Sequence, residues 1–254
     1  MDYELTGTVM QTLSVHLDPG DCVYSQTSCM CWMDASIAMD TNTGGGLLAG
    51  LKRSFSGGGL FVTDFKARAP GRVAFAPRFP GTILPYALQV GEALVCRKET
   101  FLCAEKSVTL DIAWQRKLGA GLFGGEGFIL QRVTGPGTVW LDLSGEAVER
   151  DLAPDERLLV HAGHVGIMDP GVGFDIQRVP GFKNVLFGGE GLFLATLTGP
   201  GHVVLQSMPI LNLAEEIGRH LPQSGATPRE GLAAGLTGAL VGGLFGGSRG
   251  NERA

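Results

Sequence analysis

Along the 254-residue chain, apolar residues come in short runs rich in β-branched and aromatic side chains. Turn residues break these runs at close intervals. Clear examples are 128–133 (FILQRV), 138–143 (TVWLDL), 192–197 (LFLATL) and 202–207 (HVVLQS). Seven Pro-Gly dipeptides punctuate the chain, at Pro19, Pro70, Pro80, Pro136, Pro170, Pro180 and Pro200. Proline presets φ at the first corner of a type II turn, and glycine accepts the positive φ of the second. Runs this closely spaced predict an all-β body, a sandwich, barrel or β-helix, over strand–helix alternation. Helical spacing is clear after Pro209, where Ile210, Leu213, Ala214, Ile217 and Leu221 share one face and Pro222 stops the pattern. The expected helix, 210–221, closes the β body as a lid.

The runs belong to an internal repeat. LFGGEG occurs at 122–127 and 186–191, each followed at the same distance by TGPG (134–137 and 198–201). At that shift of 64 residues, 13 of the 20 positions from 122 to 141 are identical, where chance would give about one or two. The match extends upstream through Glu92/Glu156 and Asp111/Asp175. A diverged copy lies earlier at a shift of 71, aligning Asp21 with Glu92, Ser36 with Ser107 and Asp40 with Asp111. The chain reads as three modules, 14–81, 86–145 and 150–209, forming one β domain over 1–222, with a linker and tail over 223–254. Repetition at this period decides the architecture before any one residue is weighed.

Composition narrows the class. Forty glycines suit a turn-dense β protein, and 254 residues suffice for a sizeable core. A net charge of −5 argues against broad binding to a phosphate backbone, so nucleic acid is a poor partner. Five cysteines, an odd number in strand-like runs, suggest reduced, buried thiols. The start, MDYELTGTV, carries no secretory or transit signal, which suggests a cytoplasmic location, peripheral at the inner membrane if the tail attaches there.

Several motifs together carry a resemblance. These are the glycine-rich stretch from Gly44 to Gly58, PGTI at 80–83, FLCAEKSV at 101–108 and the two GGEG…TGPG units. In them the chain resembles the altered-inheritance-of-mitochondria-24 family, whose bacterial members share a fold with the tryptophan RNA-binding attenuation protein (TRAP). The resemblance covers about residues 3–220. It implies three tandem TRAP-like double-stranded β-helix modules with pseudo-threefold symmetry, and homotrimers whose nine modules form a ring. It carries over no catalytic residues.

Candidate chemistry mostly fails on geometry. His161 and His164 form an H-x-x-H pair, with Asp169 and His202 in the same module, but residues three apart on a strand point to opposite faces. Cys29 and Cys31 share a strand face, yet two thiolates lack the further ligands of a structural zinc site, and Cys22 and Cys96 add no C-x-x-C spacing. GGEG at 124–127 would cradle phosphate only before a helix, whereas a strand follows. Glu126 and Glu190 read as turn-bonding carboxylates, and Asp40, Asp111 and Asp175 recur once per module, as scaffold groups do. The sequence suggests no enzyme, no cofactor and no metal.

The tail carries the remaining signal. Residues 231–248 have no charge, and residue types recur every fourth position. Leu232, Leu236, Leu240 and Leu244 form one row, beside a small-residue row of Gly231, Gly235, Ala239, Gly243 and Gly247. Such a small-xxx-small face lets helices approach closely in lipid. The competing reading is a flexible tail, since seven glycines in 17 residues would each cost a solvated helix roughly 1 kcal/mol. The candidate membrane or oligomer contacts are Gly235, Leu236, Ala239, Leu240, Gly243 and Leu244. The leading expectation is a non-catalytic scaffold, a ring-like trimer held at a membrane by its tails. The alternative is a ring binding a small ligand or RNA, which rests on fold analogy alone.

Overall fold

A computed structural model of the chain describes residues 1–26, 29–40, 62–116, 127–178 and 193–220. Both LFGGEG segments, apart from Gly127, lie outside these residues, as do Glu126, Glu190 and the whole of 221–254. The body is all β. After β1 (Tyr3–Thr6), eighteen strands follow among the described residues, in three sets of six. The first set is β2 (Thr12–Leu17), β3 (Cys22–Gln26), β4 (Met30–Met33), β5 (Ile37–Asp40), β6 (Val62–Ala67) and β7 (Gly71–Phe75). The second is β8 (Gly81–Leu88), β9 (Ala93–Arg97), β10 (Phe101–Glu105), β11 (Thr109–Arg116), β12 (Phe128–Thr134) and β13 (Gly137–Ser144). The third is β14 (Ala147–Leu152), β15 (Arg157–His161), β16 (Val165–Met168), β17 (Gly173–Arg178), β18 (Phe193–Thr198) and β19 (Gly201–Gln206).

Each set is wired identically. The sixth strand pairs antiparallel with the first and the third, and the fifth with the second and the fourth. Every third strand breaks register at the same place, between Met30 and Trp32, Phe101 and Cys103, and Val165 and Ile167. A bulge repeated at one position is a feature of the repeat rather than a local accident.

Two seams join the sets. The second strand of one pairs with the third strand of the next, β3 with β10 and β9 with β16. The result is two six-stranded sheets, flanked by a four-stranded sheet (β1-β2-β7-β4) and a three-stranded one (β15-β18-β17).

The period-two alternation of the strands places the core. Leu13, Val15 and Leu17 of β2 all point inward, at 0%, 0% and 2% exposure. Trp140 on β13 is sealed into the cluster of the first set, with Leu13, Phe75 and Leu102, and Tyr3 meets its ring edge-on at 5.4 Å. Each large side chain removed from water in this way contributes roughly 2–3 kcal/mol.

The Gly135–Pro136 and Gly199–Pro200 peptide bonds of the TGPG turns are cis, and Gly137 and Gly201 take positive φ (130° and 146°). The helix α1 (Ile210–His220) forms where the spacing predicts it. It runs across the boundary between two compact units, residues 1–214 and 215–254. Within the first unit, Ile210 is exposed at 36%. No helix among the described residues is long and apolar enough to cross a membrane.

Candidate functional site

The recurrent carboxylates serve turns. Asp21, Glu92 and Glu156 occupy equivalent positions, and each accepts the backbone N–H three residues earlier, from Asp18, Gln89 and Ala153, at 2.7–2.9 Å. A second recurrence links β-strand ends. Asp34 accepts from the N–H of Arg72 at 2.9 Å, and Asp169 from that of His202 at 2.7 Å. Asp169 is therefore spent on backbone. Asp175 is exposed and lies 3.6 Å from Arg116. The hydrogen bonds from Gln177 and the Ile176 backbone, with the Arg116 charge, hold its carboxyl below the usual range.

The expectation that His161 and His164 point to opposite faces fails, because a 3-10 turn (Ala162–His164) ends the strand between them. His161 and His164 meet edge to face at 5.7 Å between ring centres, and His164 Nδ1 sits 2.8 Å from the carbonyl of Gln206. Burial, His164 and Arg97 hold the His161 ring below its ordinary pKa. His202 faces Asp151 at 2.7 Å and Glu149 at 3.8 Å on the exposed side of the third set. No group of three or more His, Cys, Asp or Glu converges among the described residues. All five cysteines are free. Cys29 and Cys31 do not share an environment, because the β4 bulge turns Cys31 into solvent while Cys29 stays buried. Burial raises the thiol pKa of Cys22, Cys29, Cys31, Cys96 and Cys103.

A cavity of about 130 Å³ lies between residues of all three sets, among them Gln26, Arg78, Arg97, Thr100, Asp142 and Gln206. Several of these groups are spent on the fold. Gln26 donates to Lys98 O (2.9 Å), Thr100 to Arg97 O (2.9 Å), and both Arg97 and Gln206 to Gly163 O (3.1 and 2.8 Å). Arg97 also pairs with Glu99 at 3.1 Å. Burial pushes Asp142 up to about 7 despite its own backbone N–H and the nearby Arg78 charge. The arrangement is a polar joint between sets, with its donors directed at carbonyls.

Two exposed apolar groups whose counterparts are buried in both other sets lie at sheet edges. Strand β4 ends the four-stranded sheet, and β15 ends the three-stranded one. Trp32 on β4 is 43% exposed and Leu159 on β15 is 65% exposed. The equivalents of Trp32 are Cys103 and Ile167, at 0% and 2%, while those of Leu159 are Tyr24 and Val95, at 7% and 9%. Arg72 lies over the Trp32 ring at 5.6 Å. These edge residues were not singled out from the sequence. The signal was present, since shifts of 71 and 64 carry Trp32 onto Cys103 and Ile167. Only the pairing shows which strands have a neighbour. The six tail residues, Gly235, Leu236, Ala239, Leu240, Gly243 and Leu244, lie outside the described residues.

The described residues thus form an all-β protein of repeated strand sets with apolar groups exposed at sheet edges. The model of the Mitochondrial biogenesis AIM24 family matches residues 3–208, and the chain belongs to that family. It is similar to an uncharacterised protein of Streptococcus pyogenes serotype M6, 28% identical over 221 residues, covering 84% of this chain and 87% of that protein. Its fold is similar to the crystal structure of protein SPYM3_0169 from Streptococcus pyogenes. The TM-score is 0.72 at 23% identity, over 87% of this chain and 99% of that one.

Proposed function

We propose that this protein is a non-catalytic scaffold whose TRAP-like modules assemble into a ring-like homotrimer, attached to a membrane through its C-terminal tails. The observation that carries this reading is that β4 and β15, among the described residues, lack the neighbour that their counterparts β10 and β16, and β3 and β9, possess, and expose apolar side chains there. Natural β proteins pair, charge or cover such edges, and β4 (MCWM) carries no charge at all. Three tails gathered in one assembly would add their weak membrane affinities as avidity.

Two measurements test the reading. Light scattering should give three times the mass of one chain, and a single-chain mass across a broad concentration range would refute assembly. Vesicle flotation should recover the full chain and lose it on truncation after Pro222. Changing Leu236 and Leu240 to lysine should release it too, since a charge at a helix centre costs roughly 2.5–3.5 kcal/mol in a bilayer. Changing Gly235 and Gly243 to leucine should weaken tail self-association by filling the small-residue face. Identical flotation of all variants would remove the membrane from the reading.

A further inference from the structure

The polar joint between the sets holds one group that the repeat does not require. Gly71, Gly137 and Gly201 open the last strand of each set, opposite Leu17, Leu88 and Leu152. Five residues further on stand Ala76, Asp142 and Gln206. The carboxyl therefore occurs once, where the other sets carry a methyl group and an amide. The amide is committed to the fold, since Gln206 accepts from the Ser144 N–H at 3.1 Å and donates to Gly163 O at 2.8 Å. Asp142 instead accepts from its own backbone N–H and lines the cavity of about 130 Å³. That volume is room for about four waters.

The charges around the cavity do not balance. Arg97 pairs with Glu99 at 3.1 Å. The second cation is Arg78, whose guanidinium donates to the Cys29 thiol and carries several N–H groups in one plane. Phe79, Phe101 and Ile210 supply apolar wall. Burial holds Asp142 protonated up to about pH 7, so below that pH its carboxyl is an O–H donor. Two guanidinium groups then face the single carboxylate of Glu99, and the lining is left with net positive charge.

We propose that this cavity binds a short-chain monocarboxylate, its carboxylate between the Arg78 guanidinium and the Asp142 carboxyl and its alkyl chain against Phe79, Phe101 and Ile210. A monoanion supplies the charge that the lining lacks, and it accepts from a guanidinium and a carboxylic acid together. An ammonium ligand would instead meet both guanidinium groups and would need Asp142 ionised against its burial. An uncharged amide of the same size would cover the apolar wall but bring no charge to Arg78. The site lies within one chain, so it depends neither on assembly nor on the tail.

The other ionisable groups facing Asp142 are Arg78, Arg97, Glu99 and the thiols of Cys29, Cys96 and Cys103, whose pKa burial raises. Asp142 is therefore the member of this group whose charge changes between pH 6 and pH 8. Calorimetry and ligand-observed NMR on the full chain test the site with butanoate, butylammonium and butyramide. Butanoate should bind at pH 6 and about tenfold more weakly at pH 8, following the fraction of Asp142 that keeps its proton with a pKa of about 7. Asp142→Asn, which keeps a donor, should bind butanoate equally at both pH values. Arg78→Gln should weaken binding at pH 6 by about tenfold or more, with unchanged circular dichroism. Absence of butanoate binding at pH 6, or a preference for butylammonium or butyramide, overturns the proposal. Binding that Arg78→Gln leaves intact, or wild-type affinity that is equal at the two pH values, overturns the placement of the carboxylate between Arg78 and Asp142.

Discussion

Cys96 on β9 lies directly opposite Ile167 on β16, and neither reaches solvent, at 0% and 2% exposure. This contact seals the second set of strands to the third. Replacing Ile167 with alanine removes buried methyl groups from a joint that cannot fully collapse, at a cost of about 2–4 kcal/mol. Leu159, exposed on the edge strand β15, should behave differently. Leu159→Ala should change unfolding by less than about 0.5 kcal/mol when the protein is dilute enough to be a single chain. Urea denaturation of both variants checks the contrast, and equal losses would contradict it.

The turn carboxylates offer a second check. Glu156 accepts the Ala153 N–H at 2.8 Å, and Glu92 accepts the Gln89 N–H at 2.7 Å, in equivalent exposed turns. Each substitution to alanine should cost about 1 kcal/mol, the net worth of an exposed hydrogen bond. Because the turns are far apart in sequence and share no partner, the double variant should lose the sum. Thermal melts of the two single variants and the double variant measure this. A loss much larger than the sum would mean that the turns are coupled.

Gly201 opens β19 with φ of 146°, a region that L side chains rarely adopt, and an added Cβ would meet Val172 Cγ2 at 2.7 Å. Gly201→Ala should therefore destabilise the third set by about 2–3 kcal/mol. Gly20, whose φ is also positive but whose surroundings are open, should lose only the conformational part, about 1 kcal/mol. Chemical denaturation of the two variants separates conformational strain from crowding.

The pH dependence of stability should carry the mark of Asp142. Its folded pKa is about 7 against an ordinary 3.8, so between those values the native state holds a proton that the unfolded chain has lost. Stability from this group therefore falls as pH rises from about 4 to 7 and stays low above. Asp142→Asn should stabilise by on the order of 3 kcal/mol at pH 8 and by little at pH 4. Urea unfolding at both pH values tests this. An effect that did not depend on pH would show that Asp142 is not held neutral.

The strands were legible because their signals are local. The runs at 128–133 and 202–207 became β12 and β19 almost to the residue, since alternation and flanking turn chemistry act over a few positions. The helix after Pro209 was equally visible. Cys31 misled. An ideal strand puts residues two apart on one face, but the bulge before Trp32 breaks that rule, and nothing at Cys31 itself announces a bulge.

By itself the sequence determined a threefold repeat of short strands, a family, and the carboxylates that recur once per repeat. These depend on spacing along one chain, which duplication preserves. The tertiary structure decided which strands have neighbours. Trp32 and Leu159 are ordinary apolar strand residues in the sequence. They stand exposed because β4 and β15, among the described residues, lack the neighbour their counterparts possess. Pairing between strands far apart in the chain is a property of the closed sheet, and no local pattern encodes it.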